Sequence, residues 1–277
     1  MKYKLLISLL FFSYFTYSQC FNCSKNYGGW VDDKVNDLKK TNDGVSLLIS
    51  GGSFNYYPRI IKNDFNCNEL WKKTFNNLNV ILKKHVYDND GNLYLLLDYG
   101  SLLITTSVGP FYVDGIAVYR GLNLFKLSSN GNIIWSKHVG DTNCEFVNIF
   151  NWNNNLYIIG AFYANINISG QANYSFPNSY YPRAFIAKYD YNGFLINSNY
   201  FGNGLEDYTS SEIDNLGNIY LSKYSKLNSN NLHSDIQKVN QNLQLVWSKE
   251  ISNNIVQNSI YTPTNLFYNA NNNKLYL

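Results

Sequence analysis

Asp88-Asn89-Asp90-Gly91-Asn92 sets oxygen-bearing side chains ahead of a glycine, which is how a loop that wraps a hard cation begins. The bidentate Glu that closes such a loop is missing, and related segments carry Asn and Leu in place of the acids, so a hairpin turn is expected and no metal. Glu206-Asp207 and Asp32-Asp33 are adjacent carboxylates of the kind used in acid/base work. They recur at one place in a repeat, which points instead to accepting backbone N–H bonds where a strand begins. Cys20 and Cys23 form a C-x-x-C, but no second such pair follows, and His85, His138 and His233 are widely separated, so zinc is not expected. No Ser-His-Asp, Cys-His or phosphate-loop arrangement emerges from the spacing, and no cofactor is expected.

The other side chains suited to recognition are aromatic. Residues 99–120 and 162–183 are two long connections; the first carries Phe111, Tyr112 and Tyr119, the second Tyr174, Phe176, Tyr180 and Tyr181. Such rings stack on sugar or peptide faces at low conformational-entropy cost. Arg120 and Arg183 end the two segments and would flank a carbohydrate or protein ligand. The competing expectation is that the rings hold each other, because long loops without anchors are uncommon in compact domains.

Those connections interrupt a repeat. In residues 124–140, LFKLSSNGNIIWSKHVG, Asn130-Gly131 suits a tight hairpin turn between two apolar runs. Lys126 stands nine positions before Trp135, and Gly140 five after it. The same offsets return as Lys62, Trp71, Asn76; Lys188, Asn197, Gly202; and Lys238, Trp247, Ser252. A front-truncated copy, residues 23–28, aligns Cys23 with Trp135. The framed positions 23, 71, 135, 197 and 247 are thus 48, 64, 62 and 50 residues apart. Between them, a turn followed by an apolar run recurs around Tyr94, Tyr157, Tyr220 and Tyr276, with Asp43-Gly44 opening the most degenerate copy.

Each period holds four short strands, which predicts an all-β propeller of four-stranded antiparallel blades, about four complete and part of a fifth. The framed strands are expected at 70–75, 132–139, 194–201 and 245–251, with Trp71, Trp135, Trp247 and the four Tyr as structural anchors. No amphipathic-helix pattern competes after the first nineteen residues. The extra length in the two middle periods falls between second and third strands, so both insertions are expected on one rim.

The chain has 277 residues, 45% apolar and 17% aromatic, with 25 Tyr and a formal charge of only +3. The basic residues are scattered, which does not make a nucleic-acid footprint. Lys2 and Lys4, an apolar stretch over 5–15 and Tyr17-Ser18-Gln19 have the layout of a secretory signal peptide over 1–19, followed by a propeller domain over 20–277 with no membrane span. Export favours cysteine pairing, but Cys20, Cys23, Cys67 and Cys144 allow three full pairings that the sequence leaves open.

With Lys25-Asn26-Tyr27-Gly28-Gly29 followed by Asp32-Asp33, and Phe201-Gly202 leading to Asp214-Asn215-Leu216-Gly217-Asn218-Ile219-Tyr220, the chain resembles secreted bacterial β-propeller repeat proteins. Their units run W-S-K-x-x-G-G, then D-x-x-G-N-x-Y, then F-x-x-K-x-x-x-x-G-x-x-x-W. The resemblance spans nearly all of residues 21–277, with Asn197 in place of a Trp. It implies an exported surface or cargo protein, many of whose relatives lack a known activity. The chain stops inside a strand pattern at Leu277, so C-terminal truncation and an unclosed ring are expected. The function expected is non-catalytic binding or adhesion at or outside the cell surface. The alternative is a glycan-active enzyme, a glycosidase or lyase, whose catalytic acids sit on unaligned loops or beyond Leu277. The framed Trp with Gly131 four residues earlier is also similar to the Trp motif of quinoprotein dehydrogenases, but an adjacent Cys pair and a quinone ligand set are missing. The sialidase Ser-x-Asp-x-Gly-x-Thr-Trp box is not matched either.

Overall fold

The computed structural model describes residues 34–50, 57–100, 109–140, 144–163, 165–176, 182–202, 206–228, 231–252 and 266–276. Every regular element among them is a β-strand. The first sheet comprises β1 (Lys34–Lys40), β2 (Gly44–Ser50), β3 (Arg59–Asp64) and β4 (Glu69–Thr74). In the second period, β5 (Val80–Tyr87) and β6 (Leu93–Tyr99) precede a small hairpin, β7 (Phe111–Val113) and β8 (Ile116–Val118), and then β9 (Gly121–Leu127) and β10 (Ile133–Gly140). The third holds β11 (Cys144–Trp152), β12 (Asn155–Phe162), a hairpin of β13 (Asn165–Ile168) and β14 (Ala172–Ser175), then β15 (Arg183–Asp190) and β16 (Leu195–Phe201). The fourth is β17 (Glu206–Ile213), β18 (Ile219–Asn228), β19 (Asn231–Val239) and β20 (Leu245–Ser252), and β21 (Phe267–Asn269) pairs with β22 (Lys274–Tyr276). All neighbours are antiparallel, and the two hairpins form separate sheets.

The described residues form a β-propeller array of four blades with a further two-stranded hairpin. The first strands of successive blades touch in a series, β1 with β5, β5 with β11, β11 with β17 and β17 with β21, so they form the inner edge. Three apolar cores lie between blades rather than within them. Leu48, Ile60, Phe75, Leu82 and Leu95 join the first and second; Tyr94, Leu124, Ile149 and Ile158 the second and third; Tyr157, Ile186, Leu221 and Leu243 the third and fourth. A blade in the array therefore has both faces covered. Every residue of β6 is accordingly buried, because Leu93–Tyr99 is enclosed from both sides. The framed strands are the outer ones, and most of their residues are exposed or half-buried.

The nine-residue offset of the frame is a strand register. Lys62 pairs with Trp71, Lys126 with Trp135, Lys188 with Asn197 and Lys238 with Trp247 across the outer hairpin of each blade. On its other side the same Lys pairs with Ser46, Tyr94, Tyr157 or Tyr220. One ladder of Tyr, Lys and Trp thus crosses the three outer strands. The ammonium of Lys126 lies 5.2 Å from the Tyr94 ring centre, Lys188 5.4 Å from Tyr157 and Lys238 5.5 Å from Tyr220, which stabilises each Lys over a ring face. The Trp135 and Trp247 rings lie 6.1 Å from Tyr94 and Tyr220. Tyr276 stands on the exposed β21–β22 hairpin.

The framed residue also locks its blade to the next. A Cβ added to Gly131 would lie 2.7 Å from the Trp71 ring, and one added to Gly193 3.0 Å from that of Trp135. The Trp71 indole N–H donates to the Ser129 carbonyl in the same turn, at 2.8 Å. Where the frame has Asn197 instead of Trp, the next turn carries buried Leu243 instead of Gly, and Asn199 donates to its carbonyl at 2.8 Å. Asn197 itself donates to the Asn242 carbonyl of that turn at 3.4 Å, so two Asn side chains hold the turn where the other blades use an indole. Contacts between residues 21–27 and Leu277, on which closure depends, lie outside the described residues.

Tyr94 donates its hydroxyl to Asp88 at 3.1 Å and Tyr220 to Asp214 at 3.0 Å, whereas Trp152 occupies the matching place in the third blade and Tyr157 has no such partner among the described residues. Tyr94→Phe is expected to lose about 1.5 kcal/mol of unfolding free energy, because a buried carboxylate forfeits a donor. Tyr157→Phe removes an unsatisfied buried hydroxyl and is expected to change stability by less than about 0.5 kcal/mol, or to raise it. Urea unfolding of the two variants measures the contrast.

Candidate functional site

The β7–β8 hairpin sorts its side chains by strand alternation. Phe111 pairs with Val118 and Val113 with Ile116 on the face toward the protein, while Tyr112 pairs with Ala117 on the other. Val113 and Val118 are buried in the core of the first two blades, and Phe111 lies 4.6 Å from the Tyr99 ring. Lys73 of β4 pairs with Asp114 at the hairpin turn, tying it to the first blade. The result is a small anchored platform on which Tyr112 is 67% exposed, with Tyr119, just past the end of β8, 55% exposed. Arg120 is half-buried, its aliphatic stem against Gly100.

The second insertion is organised differently. Tyr174 and Phe176 lie 5.1 and 4.8 Å from the Tyr200 ring, and both face Phe162. Arg183 covers Phe176 with its guanidinium 3.9 Å from the ring centre, and the Tyr174 hydroxyl meets Ser198 Oγ at 2.9 Å. These groups hold the β13–β14 hairpin to its own blade, and neither Tyr174 nor Phe176 is presented as a solvated ring. Tyr180 and Tyr181 lie outside the described residues. The two hairpins meet at the end of β10: His138 Nε2 bonds the Arg120 carbonyl at 2.9 Å, while Ser169 donates its hydroxyl to the His138 carbonyl at 3.1 Å and its N–H to Val139 at 3.0 Å. The Tyr119 ring lies edge-on to His138 at 6.4 Å.

The structure also assembles a set that the spacing does not reveal. Ser46 Oγ is 2.6 Å from His85 Nε2, and His85 Nδ1 is 2.9 Å from Asp37 Oδ2. That is the connectivity of a nucleophile, a base and an orienting carboxylate. Its location decides against catalysis, because Ser46 and His85 are both 0% exposed, sealed between β1–β2 of the first blade and β5 of the second. No carbonyl substrate reaches that hydroxyl. Asp37 also accepts the His85 backbone N–H at 3.0 Å. Between the third and fourth blades the same register positions are bridged by Asn148, which donates to the Ser211 hydroxyl at 3.1 Å. The set is one version of a repeated inter-blade staple. Ser46 fills the place of the ladder Tyr and leaves room for the imidazole.

Burial lowers the His85 pKa below its ordinary value against the opposing pull of Asp37, so the ring is neutral. Burial, the largest single influence, would raise Asp37, but the ring and backbone hydrogen bonds from His85 together with the nearby positive charge of Lys39 and the His85 side chain outweigh it, and the carboxyl titrates below the ordinary carboxylate range. The calcium alternative at Asp88 is closed by donors: Oδ1 accepts the N–H groups of Asp90 and Asn92, and Oδ2 accepts from Asn92 Nδ2 and Tyr94. Asp64 and Asp214 are used in the same way by Asn68 and Asn218. Asp207 stands at the start of β17, and Asp32-Asp33, Cys20 and Cys23 lie outside the described residues.

No protein-family model matches the chain, and no curated protein matches it by sequence. Among solved structures it is similar to a subtype N10 neuraminidase-like protein of A/little yellow-shouldered bat/Guatemala, at 12% identity and a TM-score of 0.42, over 76% of this chain and 66% of that one. The chain thus spans just under two thirds of that protein's length. A structure titled as the eukaryotic initiation factor matches at 14% identity and a TM-score of 0.35, over 79% of this chain and 56% of that one. A DUF4221 family member from Bacteroides vulgatus matches at 7% identity and a TM-score of 0.29, over 78% and 80%. Likenesses of this size carry no argument about activity, and the fold rests on the chain's own sheets.

The staple makes stability pH-dependent. His85 binds its proton less well folded than unfolded, so its contribution is complete above the unfolded pKa of about 6.5 and is lost as pH falls below it; Asp37 adds a loss of the same sign below about pH 4. The urea midpoint is expected to fall between pH 7 and 5. In His85→Gln, which starts about 1.5–3 kcal/mol less stable, that segment of the pH profile should be flattened.

Proposed function

We propose that the protein is an exported, non-catalytic propeller that binds carbohydrate at the β7–β8 platform. The observation that carries the reading is the pair of exposed rings, Tyr112 on the outward face of a hairpin anchored by Val113 and Val118, and Tyr119 directly after its second strand. Large exposed rings on a rigid support lose little entropy when a flat, partly apolar surface stacks on them, and pyranose rings offer such a face. The backbone of the platform is fixed by the Lys73–Asp114 pair and by Ser136 Oγ donating to the Ala117 carbonyl at 3.3 Å, so the site is preformed. Tyr174, Phe176 and Arg183 support the neighbouring hairpin rather than touch ligand. Cys67 is disulfide-bonded, which fits an oxidising compartment and supports export by the segment over residues 1–19.

A glycan array probed with the purified protein tests the proposal. Tyr112→Ala with Tyr119→Ala is expected to weaken the strongest signal at least tenfold while leaving the unfolding free energy within about 0.5 kcal/mol of wild type, because exposed rings contribute little to folding. Undiminished glycan binding by the folded double variant would remove the site from this hairpin. Binding of a protein and no glycan would replace the ligand class, and shortening of the arrayed glycans would replace binding by an enzymatic function.

A further inference from the structure

The outermost strand of every blade is an edge strand, and the four edges are shielded in different ways. β4, β10, β16 and β20 each have one neighbour in their sheet, so one side of each backbone offers N–H and C=O groups to any extended chain. All four share a bulge. Leu70, Ile134, Ile196 and Val246, each directly before the framed residue, are left out of the pairing with the third strand, and each is about half exposed. A bulge bends and twists an edge, which hinders a partner strand. Charge is the second shield: β4 has Glu69, Lys72 and Lys73, β10 has Lys137, and β20 has Lys249 and Glu250.

β16 carries no charge. Its sequence is LINSNYF, and Ile196 and Tyr200 are exposed, as is Phe194 directly before it. An uncharged edge with exposed apolar side chains is the kind that pairs with another copy. Here the backbone is closed by two side chains instead. The Ser198 N–H donates to Asn197 Oδ1 at 2.8 Å, and the Tyr200 N–H to Asn199 Oδ1 at 2.9 Å. Ser198 and Tyr200 are two apart, so in an antiparallel ladder their N–H groups leave the same side of the strand. The other half of each amide is turned to the fourth blade. Asn197 Nδ2 donates to the Asn242 carbonyl at 3.4 Å, and Asn199 Nδ2 to the Leu243 carbonyl at 2.8 Å. An Asn side chain suits this double use because its amide offers an acceptor and donors on one planar group. Two inner edge strands are closed in the same way: in β11 the Ile149 N–H donates to Asn148 Oδ1 at 2.9 Å, and in β17 the Ile213 N–H donates to Glu212 Oε1 at 3.0 Å.

We infer that Asn197 and Asn199 seal the outer edge of the third blade against strand pairing with a second copy of the chain. They do so where the frame has given up its indole and the strand has no charge to repel a partner. The bonds to the fourth-blade turn hold each amide in the orientation that covers the next N–H, so sealing the edge and joining the blades fall to the same two side chains.

Sedimentation velocity of the full chain over a concentration series tests the inference. Asn197→Ala with Asn199→Ala is expected to self-associate at a concentration about tenfold or more below that of wild type, since two edge N–H groups become available. Adding Ile196→Lys, at an exposed position, should return that variant to wild-type behaviour, because it supplies the charge that the other outer edges have. Asn197→Asp with Asn199→Asp keeps the acceptors and loses the tether, and should sediment as wild type in about 0.5 M salt, where the added charge is screened. Asn197→Ala alone, which leaves the shorter tether from Asn199 in place, makes the same comparison with a smaller loss of stability. Folded Ala variants that sediment as wild type, association that Ile196→Lys does not relieve, or an Asp variant that associates as readily as the Ala variant would overturn the inference.

Discussion

The contact of one blade's framed residue with the next blade's outer turn is the constraint on which the rest of the structure depends. A four-stranded antiparallel sheet with apolar residues on both faces is not stable alone, and here each face is covered only by a neighbouring blade. The neighbour must therefore arrive at a fixed height and angle. At the outer edge this is set by Trp71 on Gly131 and Trp135 on Gly193, and at the inner edge by Asp37 with His85 and Asn148 with Ser211. Both sets use backbone groups as well as side chains, so they fix register and not merely proximity. The Tyr–Lys–Trp ladder joins the two edges by holding the outer three strands of a blade in one alignment.

That division of labour places the candidate platform. The inner strands and the cores are committed to holding blades together, and the Ser46–His85–Asp37 set shows how far this goes, since groups with the connectivity of a catalytic relay are spent on an inter-blade hydrogen bond. Surface for recognition is left to the insertions between second and third strands. Of these, the second has its rings drawn into Tyr200 and Phe162, and the first keeps Tyr112 and Tyr119 in solvent.

Much of the architecture was legible because it is local. The offset of nine between Lys126 and Trp135 is a hairpin register, Gly131 is a turn requirement, and both survive in the sequence as constant spacing. The insertions were bounded correctly, since β6 ends at Tyr99 and β15 begins at Arg183. The outward face of β7–β8 was not legible: Phe111, Tyr112 and Val113 are all apolar or aromatic, and three residues are too few to show an alternation. His85 was invisible for a different reason. Its partners, Asp37 and Ser46, lie across a blade boundary, and no constant spacing links residues that meet only when two sheets pack. The motif D-x-x-G-N-x-Y did contain its own explanation, because Asn92 and Tyr94 are among the donors that saturate Asp88 at the hairpin turn expected there.

The complementarity between framed residue and turn residue is tested most directly where nature has it reversed. At the interface of the third and fourth blades, Asn197→Trp alone places an indole against Leu243, and Leu243→Gly alone opens a cavity; each is expected to cost about 1–3 kcal/mol in urea unfolding. Together they rebuild the pairing of Trp71 with Gly131. The account predicts that the double variant recovers at least about 1 kcal/mol relative to the sum of the single losses. Strictly additive losses would contradict it, because the two positions would then not share the space on which blade register is built.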